Sequence, residues 1–200
     1  MTAFAPGLSV TTRRLLLRPF DPSDARRIRV VIETRAPFLP PGAPGRPSGV
    51  AAWLARGAHE LRRSGQGAHL AIEADGLIVG AISLFGTRWE AGTTEIGYGV
   101  HPLHRGRGYA SEAVLGLARW TFGNTSLRRI ELRADADNHA SLRVAEKAGF
   151  VREGTLRAAA MRPDGPRDVV VFGLLGSDLS RGENGPGDGS GGTGETVRWR

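Results

Sequence analysis

The sequence has 200 residues, which fits one globular domain or one domain plus a tail. It carries 27 Lys+Arg against 20 Asp+Glu, a net charge of +7, and every cation except Lys147 is an arginine. No cysteine is present, which excludes disulfides, Cys-ligated zinc, iron–sulfur clusters and thiolate catalysis.

Forty per cent apolar residues suffice for a core. No apolar run approaches the roughly 20 residues that a bilayer crossing needs. Met1–Val10 lacks the basic start and apolar stretch of a signal peptide. A cytoplasmic location is the resulting expectation.

In chain order, Arg13–Phe20 reads as a short apolar strand. Asp21 then caps a helix with Pro22 in its first turn, running to about Glu33. Thr34–Gly49 holds five of the twelve prolines and reads as a loop. It is either a lid or substrate wall, or a tolerated surface insertion. Ser48–Arg63 is predicted helical, with Val50, Trp53, Leu54 and Leu61 at helical spacing. Strands over Ala68–Ala74 and Leu77–Phe85 flank Asp75-Gly76, a hairpin signal. Thr93–Val100 is a further strand, Gly106–Phe122 a helix, Arg129–Arg133 a strand and Asn138–Ala148 a helix. Val169–Leu175 is a last strand. The order gives an α/β fold with a mixed sheet, and the helices after Thr93–Val100 and Arg129–Arg133 suggest locally parallel pairing. The segment Arg181–Arg200 has seven of the 29 glycines and no apolar period. It reads as a flexible tail, and its three arginines and three acids cancel.

The segment that carries chemistry is Tyr98–Glu112. A strand runs into His101-Pro102, then Arg105-Gly106-Arg107-Gly108-Tyr109-Ala110, then a helix. A glycine-rich bend at a helix start leaves backbone N–H groups unpaired at the positive end of the dipole. That is an anion cradle of the kind that holds a pyrophosphate. Gly106 and Gly108 let the backbone approach a ligand, and Arg105 and Arg107 add charge. The segment is neither a Walker loop nor a G-x-G-x-x-G fingerprint. The bland alternative is an ordinary glycine-rich helix start.

Arg105-x-x-Gly108-x-Ala110 after an apolar strand resembles the acyl-CoA pyrophosphate motif of the GNAT N-acetyltransferase superfamily. Asn138-His139-Ala140-Ser141 followed by Glu146-Lys147-Ala148-Gly149-Phe150 resembles a second stretch of that family. The likeness covers about residues 10–177 and looks closest to the Rim-type branch, which includes acetyltransferases of ribosomal-protein N-termini. The resemblance implies a mixed, mostly antiparallel sheet with a central V-shaped parallel splay and flanking helices. It implies a transferase domain over 1–179, with 180–200 as the tail.

It also implies roles. Backbone amides over Arg105, Gly106, Arg107, Gly108, Tyr109 and Ala110 would hold the pyrophosphate of acetyl-CoA. Val100 would present strand backbone to the pantetheine arm, and Asn138 would hydrogen-bond near it. The thioester would sit between the two splayed strands. The acceptor would be a small-molecule amine or a protein N-terminus.

Attack needs a neutral amine, and hence a base. Glu95 is the candidate, although strand alternation leaves open whether Glu95 or Ile96 faces the cleft. Ala145 stands where many family members carry an acid tyrosine. Ser141 stands where some Rim-type relatives carry a serine, and the resemblance implies it as the candidate proton donor, with Tyr109 as fallback. No metal is expected, because no carboxylate is spaced to complete a site with His101 and His104. Trp89 could wall the acceptor site or pack, and Glu112 reads as a first-turn acid on the helix dipole. A non-catalytic acyl-CoA sensor remains open as a rival. A nucleic-acid binder, prompted by a pI near 11.1, is opposed by the lack of any nucleic-acid motif and by few aromatics. A homodimer is left open.

Overall fold

Asp75 and Gly76, with φ of 49° and 72°, form the tight turn that the sequence signals. The computed structural model describes residues 4, 5, 7–34 and 38–183, the last four by backbone alone. Its strands are β1 (Val10–Thr11), β2 (Leu16–Pro19), β3 (Ala68–Ala74), β4 (Leu77–Arg88), β5 (Thr93–Val100), β6 (Arg129–Asp135), β7 (Val151–Arg162) and β8 (Gly165–Leu175). They form one sheet in the order β1-β2-β3-β4-β5-β6-β8-β7. Every neighbouring pair is antiparallel except β5 with β6. The helices are α1 (Ala25–Glu33), α2 (Val50–Ala55), α3 (Glu60–Arg63), α4 (Tyr109–Asn124), α5 (His139–Lys147) and α6 (Gly176–Glu183).

Each face of the sheet buries its own core. On one face Leu70, Ile82, Leu84, Ile96 and Leu132 pack under Val114 and Leu117 of α4 and Ala145 of α5. On the other, Ala71, Ile78 and Ala81 face Ile28, Val50, Trp53 and Leu54 of α1 and α2. The two cores follow from period-2 alternation, which sends successive strand residues to opposite faces.

Several elements differ from the sequence reading. The strand expected over Arg13–Phe20 shortens to β2, because Thr12 N–H bonds Leu15 O and closes a turn between it and β1. The single helix expected over Ser48–Arg63 is broken. At Arg56 the backbone leaves helical geometry (φ −134°, ψ −57°), and Gly57 passes tightly against the buried Trp53 ring. β7 was not expected at all. Eleven of its twelve residues are exposed, so it carries no apolar alternation to read. The helix α4 gives a parallel β5–β6 pair, as expected, but α5 does not give a second. β7 runs the same way as β6, yet β8 inserts between them. Residues 181–183, expected in the tail, continue α6, and residues 184–200 lie outside the described residues. Residues 35–37 of the proline loop also lie outside them.

Two charged clusters fasten the N-terminal segment. Asp24 is fully buried, and its carboxylate accepts bonds from the Arg18 guanidinium at 2.8 and 2.9 Å and from the Asp21 backbone at 2.9 Å. Arg18 Nε also donates to Glu73 on β3 at 2.8 Å. These partners push the Arg18 pKa well above its ordinary value, the Asp24 bond most of all. In the second cluster Glu112 accepts from Thr12 Oγ1 at 2.8 Å, Arg14 N at 2.8 Å and Arg14 Nε at 2.6 Å. Partial burial pushes the Glu112 carboxyl up, but the bonds from Thr12 and Arg14 outweigh it and leave the pKa lowered.

Arg18→Met removes the closest cation from buried Asp24 and leaves Arg27, 3.7 Å away, to offset its charge. The expected loss is about 3–5 kcal/mol, a fall in Tm of roughly 6–20 °C, read by thermal unfolding. Glu112→Gln should lose about 1–2 kcal/mol at neutral pH. The folded carboxyl binds its proton less tightly than the unfolded one. Its contribution is therefore full above about pH 4.5 and disappears as pH falls through the lower folded value. Urea unfolding at pH 7 and pH 3 should show the difference between variant and wild type shrinking at the lower pH.

Candidate active site

The pairing of β5 with β6 lasts three residues, Thr93–Glu95 against Arg129–Glu131. Beyond Glu95, β5 stays with β4, where Gly97 sits opposite Ser83 and Val100 opposite Gly80. Beyond Glu131, β6 follows β8 to the Asp135–Val169 pair. The two strands therefore diverge and open a wedge through the sheet, as the V-shaped splay anticipates. A cavity of about 420 Å³ occupies it, lined by Glu95, Gly97, Tyr98, Arg133, Asp135 and Ser141 among others.

A groove of about 480 Å³ continues from the wedge on the α4–α5 face. It brings together Val100, Arg105, Gly106, Arg107, Gly108, Tyr109, Ala110, Asn138 and Ser141, the residues singled out from two distant stretches of sequence. Gly106 and Gly108 have φ of 76° and 78°, a left-handed region closed to most side chains. Gly108 precedes α4 with no side chain capping the helix, so the first-turn amides face the groove. The α5 helix also points its N-terminus there. Asn138 caps it by accepting from Ser141 N at 3.1 Å. Two helix starts thus converge on one groove, with Arg105, Arg107, Arg143 and Lys147 along it.

The arginine side chains do more than add charge. Arg105 Nε donates to Val100 O at 3.1 Å, which ties the bend to the end of β5 and occupies that carbonyl. Arg14 donates to Arg107 O at 2.9 Å and lies 5.0 Å from the Tyr109 ring centre. Tyr109 therefore sits at the cradle and does not line the wedge cavity.

On the other face a third cleft, about 260 Å³, lies between the proline loop and strands β4 and β5. Phe38, Pro40 and Phe85 are among its walls. The loop rests on the bare backbone of Gly99, where a Cβ would stand 2.7 Å from Phe38 Cα. Residues 38–41 of the loop thus wall this cleft.

Alternation at β5 is settled by burial. Ile96 lies in the α4–α5 core, so Glu95 faces the opposite side, with Gly97 and Gly99. Burial pushes the Glu95 carboxyl up; Arg133, whose Nε is 3.8 Å away, pulls it down, and Glu131 adds to the upward push. The net pKa lies above the ordinary glutamate value.

Tyr98 was not among the candidate residues, although it opens the motif. Its hydroxyl is buried and has no hydrogen-bond partner. Ser141 is near enough to favour the phenolate somewhat, but burial dominates and raises the pKa. Tyr98 touches all three cavities. The signal that finds it is the alternation itself. Once Ile96 is assigned to the core, Tyr98 must share its face, toward Ser141.

The remaining candidates have structural partners. Trp89 Nε1 donates to Gly65 O at 2.9 Å and its ring packs 5.1 Å from Phe4, so it braces the end of a hairpin. Glu112 anchors the N-terminal segment as described. His101 accepts from Leu103 N at 3.2 Å and lies edge-on to Phe38 and His104. Among the described residues no group of three or more His, Asp or Glu side chains could hold a metal ion, and no helix is long and apolar enough to cross a membrane.

Comparison with known proteins places this geometry. A stretch of 106 residues is 39% identical to the probable N-acetyltransferase YjcK of Bacillus subtilis, covering 52% of this chain and 59% of that one. A stretch of 83 residues is 34% identical to the ribosomal-protein-serine acetyltransferase of Escherichia coli, covering 42% and 46%. The chain spans about half the length of the curated relatives it matches. Among solved structures, RimJ of Mycobacterium smegmatis in complex with CoA-disulfide shares the fold, with a TM-score of 0.75 at 24% identity over 87% of this chain and 90% of that one. A model of the acetyltransferase (GNAT) domain matches residues 14–151, which takes in the wedge, the cradle and α5. The chain therefore belongs to the GNAT acetyltransferase family.

Proposed function

We propose that the chain moves an acetyl group from acetyl-CoA to a primary amine by direct attack. The observation that carries this reading is the wedge, which joins a glycine-rich anion cradle on one face of the sheet to a half-buried carboxylate on the other. The groove suits the donor. It offers two helix N-termini and four cations for phosphates, and beyond Glu95 a strand edge that β6 does not pair. RimJ, whose structure holds CoA-disulfide, shares this fold, and the relatives named above are N-acetyltransferases.

In this reading Glu95 accepts the proton that the attacking amine loses. A backbone amide on the open edge of β5 near Val100 stabilises the oxyanion. Asn138 holds the α5 terminus against the pantetheine arm. Ser141 and Tyr109 are the donors the sequence offers for the leaving thiolate, and Ser141 is the one that lines the wedge. The acceptor enters past the proline loop, as a small amine or a protein N-terminus of the kind that Rim-type relatives suggest. The chain has no cysteine thiol to carry the acetyl group, which favours direct attack. Residues 1–179 form the transferase unit, working in the cytoplasm. A sensor that binds acyl-CoA without turnover is the rival, and turnover decides between them.

Glu95→Gln should lower kcat by about 10²–10⁴ while CoA affinity stays within threefold. In wild type, kcat/KM should fall as pH drops through a value above the ordinary glutamate pKa, because only the carboxylate accepts a proton. The variant should lose that acid limb. Unchanged turnover in Glu95→Gln removes Glu95 as the base. Gly106→Ala forces a side chain into left-handed φ, a strain of about 1–2 kcal/mol. Calorimetric titration with CoA should show roughly tenfold weaker binding with the fold intact by circular dichroism.

A further inference from the structure

We propose that Tyr98, through its hydroxyl, is the proton donor to the CoA sulfur as the C–S bond breaks. The inference rests on the reading above that the groove holds acetyl-CoA.

The first ground is an orphaned group. A buried hydroxyl without a partner forfeits about 1–3 kcal/mol relative to one that is paired, and nearly all such groups in folded proteins are satisfied. Tyr98 Oη is buried and makes no hydrogen bond of ordinary geometry, although the Ser141 side chain acts on it and favours its ionised form somewhat. The second ground is position. The ring packs on the α4–α5 core beside β5, on the same face as the cradle, while Glu95 stands on the opposite face. Tyr98 also borders the wedge and the cleft by the proline loop. Tyr98 thus lines both the groove and the wedge, where the thioester would cross from one face to the other. The third ground concerns the alternatives. Ala145 brings no hydroxyl from α5, and Tyr109 is held at the cradle under Arg14. Ser141 lies beside Tyr98 at the start of α5 and lines both cavities with it.

The step balances as follows. The amine nitrogen forms a bond to the carbonyl carbon, and its surplus proton passes to Glu95. The C–S bond breaks with its electron pair on sulfur. The Tyr98 O–H proton moves to that sulfur and gives the CoA thiol. The proton held by Glu95 restores the phenol through solvent, so that amine and thioester become amide and thiol with no net proton change. Burial keeps Tyr98 protonated well past neutral pH, as a donor requires.

The chain has only two tyrosines, which makes the test clean. Absorption difference spectra are recorded on adding CoA, and on adding desulfo-CoA, which lacks the thiol. The difference between the two reports what the sulfur touches. A thiol-dependent tyrosine signal is expected in wild type and in Tyr109→Phe, and its loss in Tyr98→Phe. Persistence of the signal in Tyr98→Phe, or its absence from wild type despite CoA binding, overturns the proposal. This readout needs no turnover. If the wild type binds CoA and shows the signal but releases no CoA with any amine, the acetyl-transfer reading fails while the sulfur contact stands. In an active enzyme, Tyr98→Phe should lower kcat by about 30-fold or more with CoA affinity and Tm unchanged or improved, since the lost hydroxyl had no partner. A loss of kcat in Ser141→Ala that matches or exceeds the loss in Tyr98→Phe assigns the proton to Ser141 and overturns it also.

Discussion

Everything at this site depends on one parallel strand pair that stops early. Backbone hydrogen bonding is a complete accounting, in which each strand must satisfy its groups somewhere. β5 and β6 satisfy them against each other for three residues and then divide, β5 staying with β4 and β6 with β8. The gap left between them faces no third strand. It exposes an edge of β5 to a ligand, and it makes an opening through an otherwise continuous sheet.

The two cores give that opening its two sides. Because alternation sends Ile96 and Tyr98 to one face and Glu95, Gly97 and Gly99 to the other, a single strand presents a tyrosine on one side and a carboxylate on the other. The helix starts of α4 and α5 make the first face attractive to anions, and the proline loop closes over the second. Gly97 and Gly99 leave room on the second face that Phe85 and Phe38 occupy. The anchors are elsewhere: Arg18 with buried Asp24, and Glu112 with Thr12 and Arg14, hold the N-terminal segment against β3 and α4. These clusters also account for part of the arginine excess, which serves structure as well as any phosphate.

Much of this was legible before the coordinates. The Asp75-Gly76 turn, the Asp21 cap and the Gly106–Gly108 bend are local devices, each set by a few adjacent residues. What local reading could not supply was long-range. β7 has solvent on both faces and hence no pattern. The break at Arg56 comes from the chain wrapping Trp53 into a core that only the tertiary fold creates. Arg105 looked like a phosphate ligand, but its guanidinium also closes the bend onto Val100 O. Tyr98 went unnoticed because a tyrosine in a strand usually reads as packing. Alternation places it beside Ser141 only once burial assigns Ile96 to the core.

The central claim is that the wedge seats the thioester. A crystal structure with acetyl-CoA bound addresses it most directly. The expected result places the pyrophosphate on the amides of 106–110 and the thioester between Gly97–Val100 and Leu132–Asp135, with sulfur within hydrogen-bond reach of Tyr98 Oη. A cofactor bound with its thioester outside that wedge, or its phosphates away from the glycine bend, would contradict it.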